Sequence, residues 1–294
     1  ASEVMTKIIQ DLQEARILLN EDPVKTEGGL SSGNAGESSN FLCYRALRLN
    51  YYAVTGLLAR VCLYAGQREN AFNYSTEVIK ASNNGIFPFV DRSLVNGTAQ
   101  DPDRIFSPEV LFALSDSQRG ELFEEYFDPS LAPNMVFRME TDLLEQTIYG
   151  GTGTGGNLDD YRCRSNWISS GSARYFYKYS DMTESGRIEN TMIPLLRLGE
   201  MYLIAAESQS NSLANGVSYI NTLRKNRGVS NLQTLTTTLL QYEYIREVYG
   251  EGQLFFMYKR MYSSIIRSNS ATNNPAPSNA VFVVPLPDTE TENR

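Results

Sequence analysis

Apolar positions follow the helical period at both ends of this chain and lose it in the middle. Near the start, apolar residues recur every three or four positions at Val4, Ile8, Leu12, Ala15 and Leu19. Ser2 stands where it can cap this run, so the pattern predicts an amphipathic helix that turns one side to a core. The glycine- and serine-rich residues 28 to 40 that follow predict a loop.

Two later segments share one arrangement of helix, small residue, turn and helix. Residues 50 to 81 place Ala59, Gly66 and Ala71 at the spacing of a tetratricopeptide unit, with Gly66 in the turn. Residues 195 to 228 repeat the arrangement, with Ala206 and Gly216 at the positions of close helix contact. We therefore predict a mainly α protein, a tetratricopeptide-like helical scaffold of the α-α superhelix type.

The first helix of the segment from 193 to 260, IPLLRLGEMYLIAAES, is apolar on nearly every face and should be buried. Only Arg197, Glu200 and Glu207 interrupt it, and at helical spacing they lie within about 80° of one another. Buried charges need partners, and we expect these to be Arg224 and Arg227 of the following helix. The two glutamates could instead be the acid and base of a glycosidase.

The rest of that segment predicts two more helices. The Thr234 to Thr238 region should cap a helix that reaches Tyr249, and Gly250 and Gly252 should end it. A helix then resumes with Leu254, Tyr258, Met261 and Ile265 in register, and VFVVPLP near the end predicts a closing strand.

The middle of the chain predicts loops with short strands. EVLFALS, residues 109 to 115, has the composition of a strand. GGTGTGG, residues 150 to 156, predicts a mobile link because of its glycines. It has neither the Lys-Ser/Thr ending of a phosphate loop nor a strand before it, so nucleotide binding is not expected. Tyr175, Tyr177 and Tyr179 alternate, so a strand would put them on one face, either buried (the interpretation we favour for Tyr177 and Tyr179) or exposed.

Aromatic side chains of this middle region are the candidate ligand contacts. Trp167, beside Asn166 in a polar stretch, is the first candidate, because a sugar ring stacks its C–H groups on an aromatic face and bonds its hydroxyls to polar groups. An equally good interpretation is that Trp167 fixes its own loop to the body. Tyr126, Tyr161 and Tyr175 are further candidates of the same kind.

Composition narrows the chemistry. The chain has 294 residues with 41% hydrophobic, which suffices for one large core, and a net charge of −8 without a basic block, so nucleic acid is not expected as a partner. It has no histidine, which leaves only carboxylate-based catalysis. Cys43, Cys62 and Cys163 lack metal-ligand spacing and are expected to be free thiols; no metal and no cofactor are predicted. No apolar run is long enough to span a membrane.

Four motifs resemble those of one family in the family's order. RLGEMYLIAAE resembles the R-x-x-E-x-x-L-x-x-A-E helix of SusD-like (RagB/SusD) proteins, and YINTLRKNRG resembles their I-N-x-[IL]-R-x-R-x-G. REVYGEGQLFFMYKR resembles their E-x-x-x-E-G-x-R-x-x-D-x-x-R helix, and VPLPDTE their closing P-I-P-x-x-E. Gln253 and Met257 replace the family's usual Arg and Asp, which puts one ion pair of the family in question.

The resemblance implies a single domain, residues 1–294, with helical repeats at about 1–82 and 193–266 and a loop-rich ligand-side insert at about 83–192. It implies a lipid-anchored protein of the outer-membrane surface that captures a glycan, or a peptide, and delivers it to a SusC-like TonB-dependent transporter. It implies binding and not catalysis; a peptide-binding repeat protein and a carboxylate glycoside hydrolase are the alternatives. In this family a lipidated N-terminus and a long N-terminal portion precede the counterpart of the opening helix, so we expect the chain to lack that portion.

Overall fold

The described residues of the computed structural model are 2–32, 40–96, 101–184, 186–209, 212–266, 274–285 and 287. They are mainly helical, as predicted. In chain order, helices α1 to α12 are Ser2–Leu18, Val24–Glu27, Tyr51–Tyr64, Arg68–Asn83, Arg119–Tyr126, Thr141–Leu143, Tyr161–Asn166, Leu198–Glu207, Val217–Asn226, Thr237–Val248, Leu254–Met261 and Asn279–Phe282. Strands β1 to β4 are Val110–Ser115, Trp167–Ser170, Ala173–Phe176 and Met192–Arg197, and they pair antiparallel as β1 with β4 and β2 with β3.

Antiparallel helix pairs form the scaffold. Helix α3 begins at Asn50, whose side chain accepts a hydrogen bond from the Ala53 N–H at 2.9 Å, and it turns into α4 at Gly66, where φ is +77°. Ala59 and Ala71 are fully buried between the two helices. Helix α4 also packs on α8, and α8 packs on α9 and α10, so the two predicted helix pairs share one core.

Gly216 allows α8 and the start of α9 to approach closely. A methyl group on this glycine would lie 2.5 Å from the Ala206 carbonyl oxygen, which is closer than van der Waals contact permits. This is the close contact that the sequence predicts for Ala206 and Gly216.

Residues 193 to 197 are a strand and not the first turn of a helix as predicted. Pro194 pairs with Ala113 in the two-stranded sheet of β1 and β4, where a missing N–H is tolerated at an edge. Helix α8 starts only at Leu198, so Arg197 precedes the helix with extended backbone, φ −130° and ψ 157°. Strand β4 thereby joins the middle region directly to the scaffold.

Helix α1 is less buried than predicted. Ile9 is its one buried residue, and Leu12, Ala15 and Leu19 are partly buried against the core. Val4 is 61% exposed, because α1 packs mainly on α3 and polar contacts hold much of it. Arg16 donates to both carboxylate oxygens of Glu77 at 2.8 and 2.7 Å.

The glycine-rich stretch 150–156 is tied down instead of mobile. Arg246 donates to the carbonyl oxygens of Ile148 at 2.8 Å and Thr154 at 2.7 Å, and Arg224 donates to that of Gly155 at 2.9 Å. Its glycines serve packing, since a methyl group on Gly150 would lie 1.7 Å from the Glu145 carbonyl oxygen.

The C-terminal part also differs from the prediction. Thr236 caps α10 and Gly250 and Gly252 follow it with positive φ, as predicted, but α11 ends at Met261, so Ile265 lies outside it. Asn279–Phe282 is a helical turn and not a closing strand. Residues 286 and 288–290 of the VPLPDTE motif lie outside the described residues.

The three cysteines are free thiols, as predicted, with Cys62 and Cys163 buried. Burial raises the pKa of Cys62 to about 11 and that of Cys163 to about 12, which makes both poor nucleophiles. No cluster of three or more potential metal-ligating side chains occurs within the described ranges.

Replacing Gly216 by alanine should destabilise the protein by about 1–3 kcal/mol, because the methyl group forces α8 and α9 apart. Chemical denaturation of G216A measures the loss. Gly153→Ala is the matched control, since a methyl group there meets no atom within 4 Å. Equal stabilities of the two variants would contradict the close-packing role.

Candidate functional site

A buried network of ion pairs holds the middle region on the scaffold. At its centre lies Glu247 of α10, whose side chain is fully buried. The carboxylate accepts hydrogen bonds from Arg197 at 2.8 Å, Arg227 at 2.8 and 3.1 Å and Arg162 at 3.2 Å. These arginines come from the end of β4, the end of α9 and helix α7, so one carboxylate joins three distant segments.

Further buried carboxylates extend this network. Glu109, just before β1, accepts two hydrogen bonds from Arg227 at 2.7 and 2.6 Å. Glu243 accepts from Arg162 at 3.0 Å and Arg246 at 2.9 Å, and also pairs with Arg224. Every guanidinium in this interior is therefore matched with a carboxylate, as low-dielectric surroundings require.

The network shifts the acidity of its members. Burial by itself raises the pKa of Glu243, but the guanidinium groups of Arg162, Arg246 and Arg224 outweigh burial and lower it to about 2. Lys178 shows the opposite balance: burial, with the nearby charge of Arg197, lowers its pKa to about 8 although it pairs with Glu251.

The five charges predicted to form interior ion pairs are all buried and paired, but the predicted partners are wrong for α8. Glu200 is held by Arg60 of α3 at 2.7 and 2.6 Å, and Glu207 by Arg260 of α11 at 2.7 and 2.8 Å. Arg224 and Arg227 turn to the glutamates of α10 and to Glu109 instead. The cause is that α8 presents its carboxylates to α3 and α11 and not to α9.

These pairings argue against the glycoside hydrolase alternative. Such an enzyme needs two carboxylates facing each other across a cleft, about 5–10 Å apart. Glu200 and Glu207 are each 5–6% exposed and each holds an arginine with two hydrogen bonds, so neither is available as an acid or a base.

Exposed and half-buried side chains from the end of α5, the loop after it and strand β3 make up what we call the aromatic surface: Tyr126, Met135, Phe137, Arg138 and Tyr175. Met135 and Phe137 are each 62% exposed and Tyr126 is 38% exposed. The rings of Tyr126 and Phe137 lie with centroids 5.8 Å apart, and the Arg138 guanidinium lies 5.6 Å from the Tyr175 ring centroid.

The loop after α5 builds this surface. Helix α5 ends at Tyr126, and the chain folds back so that the Phe137 N–H donates to the Tyr126 carbonyl oxygen at 2.7 Å. Phe127 anchors the loop, with its ring 5.7 Å from that of Phe176 and 5.8 Å from that of Tyr179. One ring of this loop is thus used for packing while its neighbours, Tyr126 and Phe137, stay accessible.

Polar groups flank the rings. The Nη1 atom of Arg138 is buried and has no hydrogen-bond partner among the described residues. On the other side, a hydrogen bond with Glu125 raises the pKa of the Tyr126 hydroxyl. Aromatic faces beside hydrogen-bonding groups are the arrangement that binds a sugar ring through its C–H groups and its hydroxyls.

Two predicted ligand residues are not accessible. Trp167 is 2% exposed and packs against Phe176 and Tyr249, with ring centroids 4.9 and 5.0 Å away. Asn166 is 5% exposed, and its side chain accepts a hydrogen bond from the Ser165 hydroxyl. Trp167 therefore fixes its segment to the body, which was the alternative interpretation, and does not offer a ligand platform.

The predicted tyrosines are divided between two places. Tyr126 and Tyr175 lie on the aromatic surface, whereas Tyr161 packs elsewhere, against Gly228 and the buried Val90. Strand β3 ends at Phe176, so Tyr177 and Tyr179 lie beyond it; Tyr179 is buried and Tyr177 half-buried. A ligand role for any of these tyrosines stays a prediction.

Sequence reasoning missed Met135, Phe137 and Arg138. Their only signal is the short apolar run MVF between Pro133-Asn134 and Arg138. A three-residue apolar run cannot be told from a buried strand by its pattern, so exposure could not be predicted.

Comparison with protein-family models finds a match to the SusD family over residues 117–281, which is more than half of the chain. The match includes the loop that carries the aromatic surface. No curated protein matches the chain.

Solved structures with the same fold cover nearly the whole chain. A SusD-like carbohydrate binding protein and a SusD superfamily protein, both from Bacteroides vulgatus, superpose over 99% of this chain with a TM-score of 0.64 and identities of 18% and 21%. Surface glycan-binding protein A from Bacteroides thetaiotaomicron superposes with a TM-score of 0.62 at 16% identity, over 99% of this chain and 68% of its own. The chain spans only 64% and 63% of the two Bacteroides vulgatus proteins.

Replacing Glu243 by glutamine should cost about 3–5 kcal/mol at pH 7, because it leaves buried arginines without a carboxylate. The pKa of Glu243 is about 2 when folded against 4.5 ordinarily, so acid protonates the unfolded chain first. The stability that Glu243 contributes should therefore be complete above pH 4.5 and disappear as the pH falls toward 2.

Unfolding free energies of the wild type and E243Q, measured between pH 7 and pH 3, test this. The difference between the two proteins should shrink as the pH falls. Glu124→Gln, at an exposed glutamate of α5, is the control. A pH-independent difference would show that the charge of Glu243 does not stabilise the fold.

Proposed function

Because the chain belongs to the SusD family, we propose that it is a cell-surface binding protein that captures a glycan on its aromatic surface. The support from relatives is that two neighbours of the same fold carry names that describe carbohydrate or glycan binding. The support from the chain itself is the exposure of Tyr126 and Phe137.

That exposure is the observation that carries the proposal. Phe137 is 62% exposed although the same loop buries the ring of Phe127 in the packed interior. Together with Tyr126, whose ring centroid lies 5.8 Å away, it forms a cluster of exposed rings, and such clusters mark candidate interaction surfaces. The half-buried guanidinium of Arg138 beside Tyr175 adds a cationic, hydrogen-bonding group next to the rings.

The surface is open and its rings are few, so binding should be weak, with a Kd in the micromolar range (roughly −8 kcal/mol) or weaker. Weak capture suits a protein that passes its ligand on. In this proposal the ligand is handed to a SusC-like TonB-dependent transporter in the outer membrane.

The proposed location follows from the same family membership: the protein sits at the cell surface on the outer membrane, held by a lipid at the N-terminus of the complete protein. None of the helices within the described ranges combines the length and the apolar character needed to cross a bilayer.

Recovery of a TonB-dependent transporter with the tagged full-length protein from detergent-solubilised membranes tests the partnership, and its repeated absence would count against delivery.

The double variant Tyr126→Ala with Phe137→Ala should weaken glycan binding about tenfold or more, since truncating an anchoring aromatic residue typically costs about 2 kcal/mol. A glycan and peptide array on the full-length protein selects the ligand, and calorimetry measures its Kd. The melting temperature should change little, because both side chains are exposed.

Leu114→Ala is the matched control, since Leu114 is a 51% exposed apolar residue of β1 outside the aromatic surface. Glycan binding that survives the double variant unchanged would refute the aromatic surface as the site. Selective binding of peptides in the array would favour the peptide-binding alternative.

A further inference from the structure

A concave site outside the aromatic surface lies where the middle region meets the end of α9. It is an open pocket of about 300 Å³ lined by Val90, Arg92, Tyr161, Lys225, Asn226 and Gly228. We propose that this pocket binds the carboxylate or sulfate group of an acidic saccharide, in addition to the ligand of the aromatic surface.

Buried hydrogen bonds fix the walls of this pocket. Glu109 accepts a hydrogen bond from the Val90 N–H at 3.2 Å, and it also accepts from Arg227, which stands between Asn226 and Gly228. The Arg227 carbonyl oxygen accepts from the Tyr161 N–H at 3.0 Å. All three walls are therefore attached to the Glu109 and Arg227 pair, and the pocket is preorganised.

The pocket is cationic at its rim. Arg92 and Lys225 are both exposed, and neither has an ion-pair partner in the described parts of the chain. None of the six lining residues is acidic. The neighbouring Asp91 keeps its charge but is not a lining residue; its carboxylate accepts from the Ser93 N–H at 2.8 Å and from the Ser93 hydroxyl. Two cations beside an acid-free cavity attract an oxyanion even in a protein of net charge −8.

Tyr161 adds the feature that favours a saccharide over a bare anion. Its ring lies close to Gly228, where a methyl group would come within 2.5 Å of two ring carbons. Its hydroxyl makes no hydrogen bond with any described residue and can bond a sugar hydroxyl. The volume of about 300 Å³ is at the lower end of ligand pockets and suits one or two sugar rings.

This site shares no residue with the aromatic surface. Tyr161 was proposed from the sequence as a stacking residue, and in this pocket its neighbours include the cationic side chains of Arg92 and Lys225. Neutral glycan binding at the aromatic surface and acidic saccharide binding here can therefore be lost separately, so the test of one does not depend on the other.

The experiment compares Arg92→Gln with Lys225→Gln in calorimetric titrations of the full-length protein at low ionic strength. The probes are a trigalacturonate, a sulfated chondroitin tetrasaccharide, the neutral maltotriose and inorganic sulfate. Each substitution should weaken binding of an acidic saccharide about tenfold, the usual effect of one charge-assisted hydrogen bond, and added salt should weaken it further. Tyr161→Phe, which keeps the ring against Gly228, should weaken saccharide binding but not sulfate binding.

Lys80→Gln is the matched control, because Lys80 is an exposed lysine of α4 outside the pocket. Phe137→Ala should leave binding of the acidic saccharide intact. Unchanged affinity in both R92Q and K225Q, or no binding of either acidic probe, would overturn the proposal. Inorganic sulfate binding as tightly as the saccharides would overturn the saccharide as ligand. The trigalacturonate and chondroitin arms distinguish carboxylate from sulfate recognition.

Discussion

The architecture depends on one fully desolvated carboxylate, Glu247, shared by Arg162, Arg197 and Arg227. A buried ion pair adds little net stability compared with apolar packing, but losing one partner is costly because the other charge stays buried. Such a pair therefore selects which segments may meet. Here it requires helix α7, the end of β4 and the end of α9 to converge on α10, and alternative dockings would leave an arginine unpaired in the interior.

This requirement also explains why the middle region can carry long loops without losing its position. Residues 101–184 contain few regular elements, yet Glu109, Asp160 and Lys178 each enter the interior as a charged group with a partner. Directional hydrogen bonds fix the position of these segments in addition to the apolar packing of rings such as Phe127 and Trp167. The glycine-rich stretch 150–156 is held in the same manner through its carbonyl oxygens, which receive donors from Arg246 and Arg224.

The sequence predicted the helices and the interior charges well, because both are local properties. Helical periodicity located α3, α4, α9 and α10, and charges on an otherwise apolar segment indicated buried ion pairs. The partners could not be predicted, since they depend on how α8 is rotated about its axis. That rotation is set by packing on α3, where Arg60 donates to Glu200 of α8. These two residues are more than 130 positions apart in the chain. Pro194 shows the same limit. The apolar run around it is compatible with a helix or a strand, and pairing with β1 makes it a strand.

Exposure of single aromatic residues was the least predictable property. Trp167 stands in a polar stretch, yet Phe176 and Tyr249 enclose it, and Tyr249 belongs to a part of the chain 82 residues later. Phe137 stands in an apolar run and is exposed, because Phe127 already fills the place in the interior next to Phe176 and Tyr179. Polarity of the flanking sequence therefore gives little information on ring burial where loops cross.

The two candidate surfaces differ in the sign of the charges around them, and this difference affects which ligand each is proposed to bind. Exposed glutamates of α5, Glu121, Glu124 and Glu125, adjoin the aromatic surface, and at physiological salt their field reaches about 8 Å. Three carboxylates beside the single cation Arg138 disfavour an anionic sugar there, so ring stacking at Tyr126 and Phe137 suits neutral residues. Arg92 and Lys225 give the pocket near Tyr161 the opposite preference. Hydrogen bonds from Arg227 and from the Val90 N–H to Glu109 fix the walls of this second surface.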